Sequence, residues 1–286
     1  MWWKFKRKKG SILAMTLLVR DEEDIISENI EYHKAQGVDV FIIMDNLSRD
    51  KTTDIVRKHR DTTNIELINQ IDDDYDQSKW VTEMARLAYT NYNADWVINN
   101  DADEFWVPKE GTLKSTLESQ KSRIGGLKVK RKDAVLTKSS NDFTDMPFYS
   151  YMNVFDRLPL NTVGRPIGPK VCHRGSSSVI VKAGNHGLKN SDLNIIPTDE
   201  IYILHFPKRN FEQFKNKIVL GGAAFERNTT LSENTGRTWK TLYKEWQNGE
   251  LENIWDSYVV AEDEVESRLK SGDYFIDNEL VNFFRR

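Results

Sequence analysis

An α/β fold, a mainly parallel sheet flanked by helices with a helical C-terminal region appended, is predicted by two patterns in the chain. Over roughly the first hundred residues short apolar runs alternate with amphipathic ones, which is the signature of βαβ units. The tail from Thr238 instead places Trp239, Leu242, Trp246, Leu251 and Trp255 at near-helical spacing, a stripe that reads as packing. With 286 residues the chain can bury a large core, and we read one α/β unit over 11–225 between a basic tail over 1–10 and a helical region over 226–286.

Ile12 to Val19 reads as a buried first strand. Asp21 offers an N-cap, and Glu22, Glu23 and Asp24 suit the positive end of a helix whose Ile26, Ile30 and His33 share one face before Gly37 stops it. On that apolar face His33 is read as a satisfied structural group. Val38 to Met44 is the second strand, and the turn Asp45 to Asp50 leads into a short helix over Thr53 to His59, which Ser48 or Asp50 can cap. Ile65 to Ile68 is a third strand, and a helix from Ser78 to Tyr92 returns the chain to a strand over Asp95 to Asn100. Farther on we expect a helix near Leu113 to Ser119, strands near Gly126 to Val135 and Ser178 to Lys182, and a loop from Pro159 to Pro169. Tyr202 to Leu204 is a strand ending in His205, and Asn210 with Gln213 forms a capping box for a helix to Leu220.

The most informative stretch is Asp101, Ala102, Asp103, Glu104 and Phe105, where the apolar strand Asp95 to Asn100 runs out. Alternate strand positions share a face, so Asp101 and Asp103 project the same way with only the small Ala102 between them. Such a pair suits a hard divalent cation, Mg²⁺ or Mn²⁺, at the sheet edge where open α/β sheets take ligands. Acids after a strand are also common in solvated turns. Trp96, Val97 and Ile98 before them and Phe105 and Trp106 after them favour a seat for a metal and a nucleotide diphosphate. Asp45, at the end of the second strand, is placed to accept bonds from a base or ribose. Neither a Gly-rich dinucleotide fingerprint nor a P-loop is present, so a diphosphate would be neutralised chiefly by metal and side chains. Asp72, Asp73, Asp74 and Asp76 lack the glycine and the distant glutamate of a calcium loop and read as a solvated loop or as a rim of the cleft, which Gln77 and Trp80 are expected to face. Lys79, Lys208, Arg209 and Lys217 can reach a diphosphate, but long cations on helix surfaces are usually solvated.

A net charge of −3 gives no reason to expect a nucleic-acid partner. The clustered Lys4, Lys6, Arg7, Lys8 and Lys9 beside Trp2, Trp3 and Phe5 form a basic aromatic tip of the kind that rests on anionic membranes, although a solvated terminus is the plainer reading. One cysteine, Cys172, excludes an intrachain disulfide and is compatible with a reducing compartment. No apolar run is long enough to span a bilayer, so the expected location is the cytoplasm, with peripheral contact at the inner face of a membrane through residues 1–10.

The stretch Leu18, Val19, Arg20, Asp21, Glu22, Glu23, then His33 and Gly37, then Asp45, Asn46, Leu47, Ser48, Arg49 and Asp50, and the DADEF core resembles the family 2 type of GT-A glycosyltransferase, in particular a bacterial branch. The resemblance spans about the first 110 residues and resumes at Gly184, Asn185, His186 and at His205, Phe206, Pro207, Phe211, Gln213, Phe214 and Lys217. Asp21 stands where that pattern has Asn, and Arg49 where it has a small residue. The resemblance implies a Rossmann-like fold with a nucleotide-binding half over 11–107 and an acceptor half over 108–225. It implies nucleoside contacts at Val19, Arg20 and Asp45, metal and diphosphate at Asp101 and Asp103, and a late histidine completing the metal shell. His205 is the candidate, with His186 its rival. It further implies inversion at the sugar and a carboxylate base after the acidic motif, for which Asp142, Asp145, Asp156 and Asp192 qualify and Asp145 and Asp156 are put forward. The expected function is metal-dependent transfer from a nucleotide sugar to a hydroxyl acceptor, with capsule, lipopolysaccharide or another glycan as the default acceptor. Phe143, Phe148, Tyr149, Tyr151 and Phe155 are expected to shape the acceptor pocket. Nucleotidyl transfer, which would release pyrophosphate, and a catalytically silent nucleotide- or sugar-binding module are the alternatives.

Overall fold

Leu13 to Leu17 and Val40 to Met44 are almost unbroken apolar runs, so as strands they demand cover on both faces. The computed structural model, which describes residues 10–73, 76–142, 146–160, 164–189, 192–227 and 236–285, supplies that cover. In chain order the elements are β1 (Leu13–Val19), α1 (Ile26–Ala35), β2 (Val40–Asp45), α2 (Thr52–His59), β3 (Ile65–Asn69), α3 (Gln77–Tyr92), β4 (Trp96–Asn100) and β5 (Glu104–Pro108). Then follow α4 (Leu113–Glu118), β6 (Gly126–Val129), β7 (Arg131–Ala134), α5 (Lys138–Asp142), β8 (Val154–Asp156), β9 (Lys170–Arg174), β10 (Ile195–Pro197) and β11 (Ile201–His205). The chain ends with α6 (Phe211–Arg227), α7 (Arg237–Gln247), α8 (Leu251–Tyr258), α9 (Glu262–Ser271), β12 (Tyr274–Ile276) and α10 (Glu279–Phe284).

The larger sheet has the order β10-β6-β9-β4-β1-β2-β3, parallel from β4 to β3, with β9 antiparallel to both β4 and β6. Register sets Val19 beside Asp45 and Leu17 beside Asn100, which brings the carboxyl ends of β1, β2 and β4 to one edge. The smaller sheet runs β12-β8-β7-β11-β5. Among the described residues no helix is long and apolar enough to cross a membrane.

Several elements depart from the sequence expectations. The strand expected over Gly126 to Val135 is two strands, because the chain leaves the larger sheet after Val129 and enters the smaller one at Arg131. No strand forms over 178–182. There the backbone is satisfied by α3, with Ser78 Oγ donating to Val181 O at 2.6 Å, Val181 N to Thr82 Oγ1 at 2.9 Å and Arg86 Nε to Val179 O at 2.9 Å. Asp21 does not cap α1. It takes a positive φ of 53° four residues too early, and its Oδ1 accepts Arg49 N at 2.6 Å. The C-terminal region is not helical alone, since β12 pairs with β8, and the sequence boundary at 225 falls inside α6. Trp80 is buried in the core instead of facing the cleft. Phe148 and Phe155 are likewise core, packed edge-on against Phe206, while Tyr149 stacks on Phe284.

The turn between β4 and β5 is braced from α1. Asn29 Nδ2 donates to Ala102 O at 2.8 Å and to Glu104 O at 2.9 Å, and Asn100 Nδ2 reaches Glu104 O at 3.1 Å. His33 completes the brace. Its Nδ1 lies 2.8 Å from Asn29 O, its Nε2 accepts Trp106 N at 3.1 Å, and Trp106 Nε1 donates to Asn100 Oδ1 at 2.9 Å. These groups are sealed from water, so each unmade bond would be costly. Replacing Asn29 by Ala should therefore destabilise the protein by about 2–4 kcal/mol in equilibrium denaturation.

Burial holds the His33 imidazole down to about 3 and that of His173 down to about 4. Both folded values lie below the unfolded one, so the unfolded chain binds more protons as pH falls from 6.5 towards 4. Stability should drop on acidification through that window by up to about 1.4 kcal/mol per pH unit for each histidine. Unfolding free energies that are flat between pH 7 and pH 5 would contradict this.

Candidate active site

The edge where β1, β2 and β4 end opens into a cavity of about 580 Å³. Val19, Arg20, Asp101, Asp103, His186 and His205 all line it, together with Asn46 after β2, Gln77 at the start of α3 and Lys217 from α6. His205 arrives there through strand register, because β11 pairs with β5 and β7 and places His205 opposite Glu104 on one side and Asp133 on the other.

His205 Nδ1 sits 2.8 Å from Asp133 Oδ1, and Nε2 faces Asp103 Oδ1 at 3.6 Å. Burial alone would lower this imidazole, but Asp133 and Asp103 outweigh it and push it up to about 9. Asp103 also takes Lys217 Nζ at 2.6 Å. Burial would raise the Asp103 carboxyl, yet Lys217 and His205 hold it well below the usual carboxylate range. Lys170, buried on β9, is ion-paired with Asp101 and lies 3.0 Å from Glu104 Oε1, which also meets Arg131 Nη1 at 3.1 Å. Asn185 Nδ2 donates to Asp101 Oδ1 at 3.0 Å.

Arg209, just ahead of α6, is 1% exposed and grips Glu22 through Nη2 at 2.7 Å and Asp24 through Nε at 2.7 Å, with Nη1 on Phe206 O. At the other end of α6, Arg227 pairs with Asp73, which also takes Arg20 Nη1 at 2.6 Å. Lys217 and Arg209 are thus parts of a buried charge network, not the solvated surface cations that their positions in sequence suggest.

Asp45 is buried, with Oδ2 accepting Ser48 N at 3.3 Å and Oδ1 without a partner, and burial raises its carboxyl. Among the described residues that line the cavity its neighbour Asn46 takes its place. His186 lines the wall with Nδ1 on Pro169 O at 3.0 Å. Asp156 does not reach the cavity. It stands on β8, paired with β12, and its Oδ1 accepts Leu158 N at 2.8 Å, so the base role is withdrawn from it. Asp192 is exposed ahead of β10. Asp145, Phe143, Asp74 and the tail over 1–9 lie outside the described residues. The aromatic wall comes instead from Phe214, Phe225, Trp239 and Tyr258.

Sequence reasoning missed Arg131, Asp133 and Lys170. Asp133 and Arg131 sit in a short polar strand without alternation, and Lys170 opens a strand in which Lys, Cys, His and Arg outnumber the apolar residues. Among the described residues no set of three or more His, Cys, Asp or Glu groups forms a metal cage. Asp103 with His205 nevertheless fits a divalent cation, because one carboxylate faces one imidazole whose other nitrogen is fixed by Asp133, the outer-shell arrangement usual for metal-bound histidine. Replacing Arg209 by Met should cost about 3–5 kcal/mol in chemical denaturation, since Glu22 and Asp24 would be left without their buried partner.

The model of "Glycosyltransferase family 92" matches residues 9–247. No curated protein sequence matches this chain. Among solved structures, S. aureus TarS 1-349 in complex with UDP is similar at 15% identity, over 84% of this chain and 72% of that one, with a TM-score of 0.44. A mannosyltransferase from Pyrobaculum calidifontis in complex with GDP-Man and Mn²⁺ is similar at 15% identity, over 76% and 62% of the two chains, with a TM-score of 0.40. Glucosyl-3-phosphoglycerate synthase from Mycobacterium tuberculosis in complex with Mg²⁺ and UDP is similar at 17% identity, over 43% and 44%, with a TM-score of 0.30. With a family model covering most of its length, the chain belongs to glycosyltransferase family 92.

Proposed function

We propose that this glycosyltransferase moves a sugar from a nucleoside diphosphate sugar to a hydroxyl acceptor, with inversion at the anomeric carbon and with Mn²⁺ or Mg²⁺ as cofactor. The observation that carries the reading is the pair Asp101 and Asp103, which lies at the carboxyl edge of a parallel sheet and lines the cavity, with Asp103 facing His205. The GT-A layout of the family 2 type fits this arrangement.

Val19, Arg20, Asn46 and Asp45 would receive the nucleoside at the β1–β2 edge. Asp45 Oδ1, buried and unpartnered, is an acceptor suited to a ribose hydroxyl or a base N–H. Asp103 and His205 would hold the cation, with Asp101 beside them and His186 on the same wall as an alternative ligand. When bound, the ion supplies positive charge at the diphosphate. Asp133 keeps Nδ1 of His205 protonated and Nε2 turned to Asp103. Asp133 follows the acidic motif and lines the cavity, but it is committed to His205. The base role is given to Asp145, one of the acids that the family resemblance puts forward after the acidic motif. Phe214, Phe225, Trp239 and Tyr258 would meet the acceptor, a glycan or another hydroxyl compound. Contact of residues 1–10 with an anionic membrane belongs to the same proposal.

The test is a panel of nucleoside diphosphate sugars incubated with and without Mn²⁺, first by thermal shift and then with product analysis. Release of nucleoside diphosphate is expected, and Asp103→Asn should lower transfer by at least about a hundredfold with an unchanged circular dichroism spectrum. Release of pyrophosphate would turn the assignment to nucleotidyl transfer, and binding without turnover would turn it to a silent module. Asp145→Asn should lose turnover at unchanged donor affinity, whereas Asp133→Asn should weaken the response to Mn²⁺ by about ten- to a hundredfold.

A further inference from the structure

The cations around the acids are not equivalent. Lys170 and Arg209 keep 1% of their side-chain surface, whereas Lys217, which lines the cavity as Lys170 does, keeps 29%. Its ammonium carries three donors. One is committed to Asp103 Oδ2 at 2.6 Å, and Glu22 Oε1 stands at 3.8 Å, beyond hydrogen-bond length. Lys217 is therefore a cation fixed in place by two acids that still has donors to offer a ligand. Its position is also fixed from the backbone side, because the clamp of Arg209 on Glu22 and Asp24 pins the start of α6.

We propose that Lys217 is a donor-binding catalytic residue that hydrogen-bonds the diphosphate of the nucleotide sugar and stabilises it as it leaves. This rests on the reading of the preceding section. In the transfer the bond between the anomeric carbon and the diphosphate oxygen breaks, and its electron pair goes to that oxygen. The acceptor oxygen forms the new bond to the anomeric carbon and gives its proton to a carboxylate. Lys217 keeps its own proton throughout and meets the charge that grows on the phosphate.

A purely structural lysine, present only to neutralise Asp103 and Glu22, would behave differently. Removing it would weaken every nucleotide alike or unfold the protein. The deciding measurement is calorimetric titration of the full chain, in chelator and without added metal, with the mono- and diphosphates of uridine, cytidine, guanosine and adenosine. For the best-binding base, the wild-type protein should prefer the diphosphate, and Lys217→Met and Lys217→Gln should each cut that preference about tenfold while leaving the monophosphate unchanged. Lys217→Arg, which keeps the charge, should retain the preference within about threefold. The proposal is overturned if the neutral variants keep the wild-type preference, if they lose both nucleotides equally, or if neither folds. Absence of any nucleotide binding by the wild-type protein would instead overturn the donor assignment on which it rests.

Discussion

Carboxylates that a fold seals away from water have to be met by positive charge, and here the chain meets them from β7, β9, β11 and α6. Asp103 and Glu104 are nearly inaccessible, and removing either set of partners would strand an anion in a medium that solvates it poorly. The topology follows from that demand. Lys170 must lie on β9 beside β4, His205 on β11 between β5 and β7, and Lys217 on a helix whose start is clamped to Glu22 and Asp24. Segments far apart in sequence are stapled around one turn, and the result is a charged site that exists before any ligand arrives.

The staples would be of little use if the turn itself moved. Asn29 and His33 prevent this by holding Ala102, Glu104 and Trp106 through the backbone, from a helix packed in the main core. This is support from behind the reacting groups, built on regular elements instead of loops. His33 illustrates how such support constrains chemistry: its two ring nitrogens are both occupied, and protonation would break the bond from Trp106 N.

The sheet from β1 to β4 was legible because its runs are apolar and their separators are amphipathic, and the acids at its edge were legible because aromatic residues bracket them. His33 was also read correctly as structural, from its place on an apolar face. The remainder was hidden for physical reasons. β9 carries four charged or titratable side chains among five residues and resembles a loop, and only its place between β4 and β6 makes it a strand. Asp133 lies on a polar edge-like segment whose meaning comes from the register of β11. The aromatic run from Phe148 to Phe155 looked like a pocket wall and proved to be core, because residues near the C-terminus return to cover it. Long-range pairing of this kind leaves no local periodicity to detect.

Helix α6 is fastened unequally at its two ends. Near its start Arg209 is enclosed and doubly bonded to acids, while at its finish the Arg227 and Asp73 side chains retain 51% and 36% of their surface. Dissolved ions weaken the second attachment and barely touch the first. Salt therefore loosens the hold on the far end of α6, where Asp73 is shared between Arg227 and Arg20 of the nucleotide edge, and spares the hold on its start.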